Sequence, residues 1–243
     1  MSSIRAILLT TFIIILIIIS GFTNNAKAQN IDWGPTAGLT VSSHLNKFWF
    51  IEDDIRIRLN PDVAVGYQLG LIGRANISST LRIQLEPSII LLGAKYDDSF
   101  TLRGVEFETD SRTELTYIQL PLLLQLSTAE NQYNVYGRKR SITTYHISGG
   151  LFGGYLLDAR FEGTNRGAPI GIEFEGGFSN DVTPQYSNYD VGPMLGLGLE
   201  RGHYNKVGFE TRAQFSIIDS GSEKLFFFRP QNIALTFSLY VLF

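Results

Sequence analysis

The chain has 243 residues, no cysteine, and 20 basic against 23 acidic side chains, so it has no disulfide framework and no excess of positive charge for nucleic acid. Its mean hydropathy is only +0.06, and the one apolar run of helix-spanning length lies at the N-terminus, which excludes a helical membrane bundle. Apolar residues placed at every second position escape an averaged hydropathy, so a strand-built membrane protein stays in play.

The first 28 residues read as a signal peptide. Arg5 supplies a positive charge, positions 6–19 are apolar except for Thr10 and Thr11, and Ala26-Lys27-Ala28 is a small-x-small cleavage site before Gln29. A retained anchor is the alternative, and the polar Thr23-Asn24-Asn25 ahead of a well-formed site favours cleavage. No cysteine follows the site, which excludes a lipid-anchored lipoprotein. The mature chain, 29–243, is sized for one domain and keeps 18 basic and 23 acidic residues, a net of −5.

Eight segments of the mature chain alternate with period two. Trp33 to Ser43 puts Trp33, Leu39 and Val41 on one face and Gly34, Thr36 and Thr40 on the other. Pro61 to Arg74 sets Val65, Tyr67, Leu69 and Leu71 against Ala64, Gly66, Gln68 and Gly70. Ile77 to Lys95 directs Leu81, Ile83, Leu85 and Ile89 outward and Ser78, Thr80, Arg82, Gln84, Glu86 and Ser88 inward. Arg112 to Ser127 places Ile118, Leu120, Leu122, Leu124 and Leu126 outward, with Leu123 falling inward beside Tyr117, Gln119 and Gln125. Ile142 to Asp158 turns Tyr145, Ile147 and Leu151 out and His146, Ser148, Gly154 and Asp158 in. Gln185 to Arg201 opposes Tyr189, Leu195, Leu197 and Leu199 to Asn188, Asp190, Gly196, Gly198 and Glu200. Lys206 to Asp219 opposes Val207, Phe209 and Phe215 to Glu210, Arg212 and Gln214. The last segment, 232–243, alternates strictly from Ile233 to the terminal Phe243, where the barrel-assembly machinery expects its recognition signal. One such segment is weak evidence, but eight in series with turn-rich gaps define an antiparallel transmembrane β-barrel.

The gaps support an outer-membrane location with both termini periplasmic. On that orientation the outward connections, about 44–60, 96–111, 159–184 and 220–231, are long, and the turns near Ala75-Asn76 and Gly202 to Asn205 are short. Ala129 to Ser141 is longer than the pattern asks. Asp53 to Leu59 and Ile170 to Glu175 also alternate, so either the hairpins project beyond the membrane or ten strands close the barrel; eight is the favoured count.

Leu85-Glu86-Pro87, the run Tyr117-Ile118-Gln119-Leu120-Pro121, the glycine-rich stretch from Gly149 to Leu157, and Val191-Gly192-Pro193 leading to Gly196-Leu197-Gly198 resemble the PorT-type outer-membrane β-barrel domain. The resemblance covers essentially the whole mature chain and implies an eight-stranded barrel. Its founding member is linked to a secretion system, and no residue here carries that role across, because fold does not fix function.

Five inward charges, Arg82, Glu86, Glu200, Glu210 and Arg212, share a lumen only wide enough for side chains to fill. They are expected to lock into a structural ion-pair network; a narrow channel or transporter for small solutes is the alternative. His146 and Ser148 on one face offer a base and a nucleophile with Asp158 or Glu200 as orienter, the arrangement of an outer-membrane lipid hydrolase. Pointing into the lumen argues against it. His44 and His203 fall in loop and turn, so no metal site and no cofactor is expected. Phe48-Trp49-Phe50 and Phe226-Phe227-Phe228 lie in or beside outer loops, with Tyr96 at a strand end, as interfacial girdle or as contact residues for a protein partner. Glu52, Asp53, Asp54, Asp97 and Asp98 add negative charge there, where divalent cations bridging lipopolysaccharide bind nonspecifically. Mid-strand Pro87 and Pro193 are expected at bulges. The reading that joins these is a non-enzymatic barrel, structural, adhesive or secretion-associated, embedded in outer-membrane lipid and acting through its outer loops.

Overall fold

The computed structural model describes residues 31–46, 48–52, 55–102, 105–128, 142–168, 173–202, 205–218 and 230–243, all within the compact unit Ile31–Phe243. The signal peptide, His203, Phe226 to Phe228 and the turn Ala129 to Ser141 lie outside them. The strands are β1 (Ile31–His44), β2 (Phe48–Glu52), β3 (Ile55–Leu59), β4 (Asp62–Asn76), β5 (Leu81–Leu85), β6 (Ser88–Leu102), β7 (Val105–Ser127), β8 (Ile142–Gly167), β9 (Phe174–Asp181), β10 (Tyr189–Gly202), β11 (Lys206–Phe215) and β12 (Asn232–Leu242). A short 3₁₀ turn, Thr183–Gln185, precedes β10.

β5 and β6 are one strand across Glu86-Pro87. Gly73 and Gly70 face Leu85 and Ser88 in one unbroken register, and Leu122 and Gln119 do so from the other side. Counted that way, the antiparallel circuit β1, β4, β5/β6, β7, β8, β10, β11, β12 returns to β1 through Leu39 opposite Phe237, and closes with eight strands. Closure leaves no open edge at membrane depth, which the hydrocarbon requires. The ten-stranded alternative fails because β2, β3 and β9 stay out of this ring. Among the described residues β2 pairs with β3, β3 with the far part of β6, and β9 with the far part of β8.

Alternation sets which residues face lipid. Leu195 is 68% exposed and Leu39 62%, whereas the intervening Gln84 and Glu210 are fully buried. Leu123 does turn inward, against Phe152 and Met194. Ser78 and Thr80 do not: they sit exposed in the β4–β5 turn, where Ser78 Oγ accepts the Leu81 N–H. Nor do Pro87 and Pro193 mark bulges. Both stay in register, because a proline lacks only its donor and the Pro87 carbonyl still accepts the Leu71 N–H at 3.0 Å.

The register shifts lie instead between Val63 and Gln68 on β4, and between Thr116 and Tyr117 on β7 opposite Leu156 and Asp158. An extra residue on one strand reverses the facing of everything beyond it. Ala159 is therefore buried, and Asp158, expected in the lumen, is 45% exposed and paired with Arg160 at 2.9 Å.

β7 has 23 residues and β8 has 26. A tilted strand crosses a bilayer in roughly 9–11, so β8 has an excess of about 15 residues, or ~50 Å of strand at ~3.3 Å per residue. Together with β2, β3, β6 and β9 this excess builds a sheet on the rim opposite the termini. Positions 44–60, 96–111 and 159–184, expected as loops, are thus mostly strand.

Candidate functional site

The lumen is filled in layers. Nearest the termini, Asp32 of β1 accepts from Lys206 Nζ at 3.1 Å and from Asn76 Nδ2 at 3.2 Å. Above it Glu200 of β10 takes two arginines, Arg74 Nη1 at 2.5 Å and Arg82 Nη1, and its Oε2 also accepts the Tyr240 hydroxyl at 3.2 Å. The Arg74 guanidinium lies 5.4 Å from the Tyr240 ring centroid. Gln84 is the link upward: its Oε1 accepts from Arg74 and from Gln125, and its Nε2 donates to Glu86 at 3.0 Å.

The middle layer centres on Arg212 of β11, whose Nη2 lies 2.6 Å from Glu86 and 2.7 Å from Glu210. Gln68 Nε2 donates to Glu86 at 2.9 Å, and Ser148 Oγ donates to Glu210 at 2.7 Å. Next, Asp190 accepts from Ser216 and Asn232. The far mouth is closed by an apolar layer of Ile90, Leu92, Leu115, Tyr117 and Leu156, with Val182 and Tyr186 folded in from the 3₁₀ segment.

All five charges expected to meet are brought together. Their two cations against three anions left an imbalance, which Arg74 resolves as the sixth member. Arg74 continues the inward phase of Gln68 and Gly70, so the signal was present in its strand. The glycines complete the fit, since a Cβ on Gly198 would overlap the His146 ring and one on Gly196 would overlap Ser148 Oγ.

The hydrolase arrangement is not assembled. Ser148 Oγ is directed to Glu210, His146 Nε2 stands 3.8 Å from the same carboxylate, and both residues are buried in the lumen away from lipid. Asp158 points outward and Glu200 belongs to the arginine layer. His44, expected in a loop, is the buried last residue of β1, with Nδ1 2.7 Å from the hydroxyl of an equally buried Tyr96. Among the described residues no three His, Asp or Glu side chains are placed to hold a metal. Aromatic pairs mark the two ends of the apolar belt, Trp33 with Phe243 at one and Tyr155 with Tyr189 at the other. Phe48 to Phe50 lie in β2, in the far-rim sheet.

A closed eight-stranded antiparallel ring, apolar outside, aromatic at both ends of its belt and ion-paired within, defines a transmembrane β-barrel. The match of residues 27–221 to the outer membrane protein β-barrel domain places this chain in that family, and so in the bacterial outer membrane. Solved barrels are similar at low identity. Ail, the attachment invasion locus protein of Yersinia pestis, shares 13% identity over 87% of this chain and 98% of its own, with a TM-score of 0.34. Its complex with the heparin analogue sucrose octasulfate gives 12%, 88%, 99% and 0.34. OprG of Pseudomonas aeruginosa gives 13% over 88% and 94%, with a TM-score of 0.43. No curated protein sequence matches the chain.

Proposed function

We propose that the protein is exported with cleavage after Ala28, sits with both termini in the periplasm, and acts as a non-enzymatic barrel whose far-rim sheet is its contact surface. The carrying observation is a division of labour between the two parts. Inside the ring the six buried Arg and Glu side chains bind one another, which supports a plug over a solute path and over a catalytic site. Outside it, β7 and β8 run well past what membrane crossing needs, and excess without a folding role is disproportionately functional. The PorT-type resemblance and any tie to secretion rest on the strand motifs alone.

The experiment trims the sheet without touching the plug. Val182 and the Phe161–Phe178 ring pair, 5.2 Å between centroids, anchor the base of the β8–β9 hairpin, so the cut must fall above them. Replacing 164–177 by Asn-Gly, a tight hairpin turn, should leave membrane insertion and the heat-dependent gel shift intact while abolishing binding of any surface partner. Loss of assembly, or unchanged partner binding, would count against this reading.

A further inference from the structure

β9 is an edge. Among the described residues it pairs with β8 alone, from Gly167 opposite Phe174 to Arg160 opposite Asp181. The Val182 N–H donates to the Ala159 carbonyl at 2.9 Å, and antiparallel ladders alternate, so Phe174, Gly176, Phe178 and Asn180 direct their backbone groups to β8. Glu175, Gly177, Ser179 and Asp181 present theirs to the outside. Edges of this kind are normally blunted by lysine, proline or a bulge. FEGGFSND has no lysine and no proline and shows no register shift, its only charges, Glu175 and Asp181, are acidic and so guard against anionic and neutral strands more than basic ones, and its two glycines leave the backbone uncovered.

The charge around the edge is one-sided. Positions 95–114 and 158–181 carry eleven acidic and five basic residues, a net of −6, against −5 for the whole mature chain. An open depression of about 460 Å³ crosses the sheet face from β6 to β9 and reaches Gly177 and Phe178; its charged lining, Lys95 and Arg112 with Asp110 and Glu162, is balanced. An anionic surface of this density repels lipopolysaccharide phosphates and attracts cations.

We propose that the free edge of β9 takes up an extended, lysine- or arginine-bearing polypeptide segment as an added antiparallel strand. The main-chain groups of Glu175, Gly177, Ser179 and Asp181 supply the pairing, the acidic field selects a basic sequence, and the depression at Gly177 receives one of its side chains. The inference rests on the far-rim sheet being the contact surface, and it names the partner's chemistry.

The test uses the full mature chain in detergent micelles and a fluorescent ten-residue peptide of alternating lysine and threonine. Anisotropy should show binding that weakens at least tenfold between 50 and 500 mM salt, with a glutamate–threonine peptide not binding. Amide exchange of Glu175, Gly177, Ser179 and Asp181 should slow on peptide addition. Ser179→Pro removes one outward N–H without breaking a bond to β8, so it should keep the heat-dependent gel shift and weaken binding at least tenfold. Equal binding by Ser179→Pro would overturn strand addition, and equal binding by the glutamate peptide would overturn the selection of a basic segment, while both leave the contact-surface reading intact. That reading falls separately, if the Asn-Gly hairpin variant loses no partner binding.

Discussion

Glu200 holds two arginines on one carboxylate in a layer no water-exposed pair resembles. Arg74 is fully buried and Arg82 nearly so, and a buried charge stripped of its partner typically costs about 3–5 kcal/mol. Glu200→Gln should therefore destabilise the barrel by about that amount, read as a lower urea midpoint for the heat-modifiable form. Arg112→Gln is the control, because Arg112 pairs with Glu162 and Glu114 at 51% side-chain exposure and should cost less than ~1 kcal/mol. Equal losses would show that the lumen network is not what holds the ring. Asp181 shows a different residue-scale effect at the far rim. Its Oδ1 accepts the Thr183 N–H at 2.9 Å, and hydrogen bonding from Thr183 holds the carboxyl below its ordinary pKa. A lowered folded-state pKa means a contribution present above the unfolded carboxyl's pKa and lost as pH falls through the lowered value. The Thr183 amide resonance should titrate below the usual carboxylate range of about 3.9, and should stay fixed in Asp181→Asn.

At the scale of elements, period-two patterning made all eight spanning strands and five of the six network charges legible, Arg74 being the one passed over, because lipid on one face and a crowded lumen on the other constrain every residue in between. Three things were not legible, each for a physical reason. The bulge near Leu156 leaves no mark in composition, so unbroken alternation puts Asp158 on the wrong face. The far parts of β6 to β9 have no lipid on either side, so their apolar residues are too few and scattered, as with Asp97-Asp98-Ser99 and Thr109-Asp110-Ser111, to set a continuous period, and they read as loop. Val182 and Tyr186 enter the mouth from a 3₁₀ segment with no periodicity to betray it. Strand glycines split the same way by face. Gly198 borders His146, whereas a Cβ on the outward Gly153 would meet nothing within 4 Å. Gly198→Ala should overpack the lumen at a cost of about 1–3 kcal/mol, and Gly153→Ala should be neutral or stabilising by up to ~1 kcal/mol through reduced backbone entropy in the unfolded chain. Thermal gel-shift midpoints of the two variants settle it, and a destabilised Gly153→Ala would contradict the lipid-facing assignment.

For the whole molecule, the network determines whether the ring is a pore. Arg212 bridges Glu86 and Glu210 in the middle of the lumen, Glu200 clamps Arg74 and Arg82 on one side, and the Tyr117–Val182–Tyr186 layer covers the other. An ion moving through would have to part at least two buried charge pairs in a space that eight strands leave just wide enough for side chains. Planar-bilayer recordings of the native protein should therefore show no stable conductance steps. Opening the path requires removing both the ion pairs and the apolar lid. Replacing Arg74, Arg82, Glu86, Glu200, Glu210 and Arg212 together by Ala removes three cations and three anions, leaves none of the six unpaired and, combined with Tyr186→Ala, should produce small, reproducible steps in a barrel that still shows the gel shift. Steps of fixed size from the native protein, altered by Glu210→Gln, would instead make the lumen a conduction path.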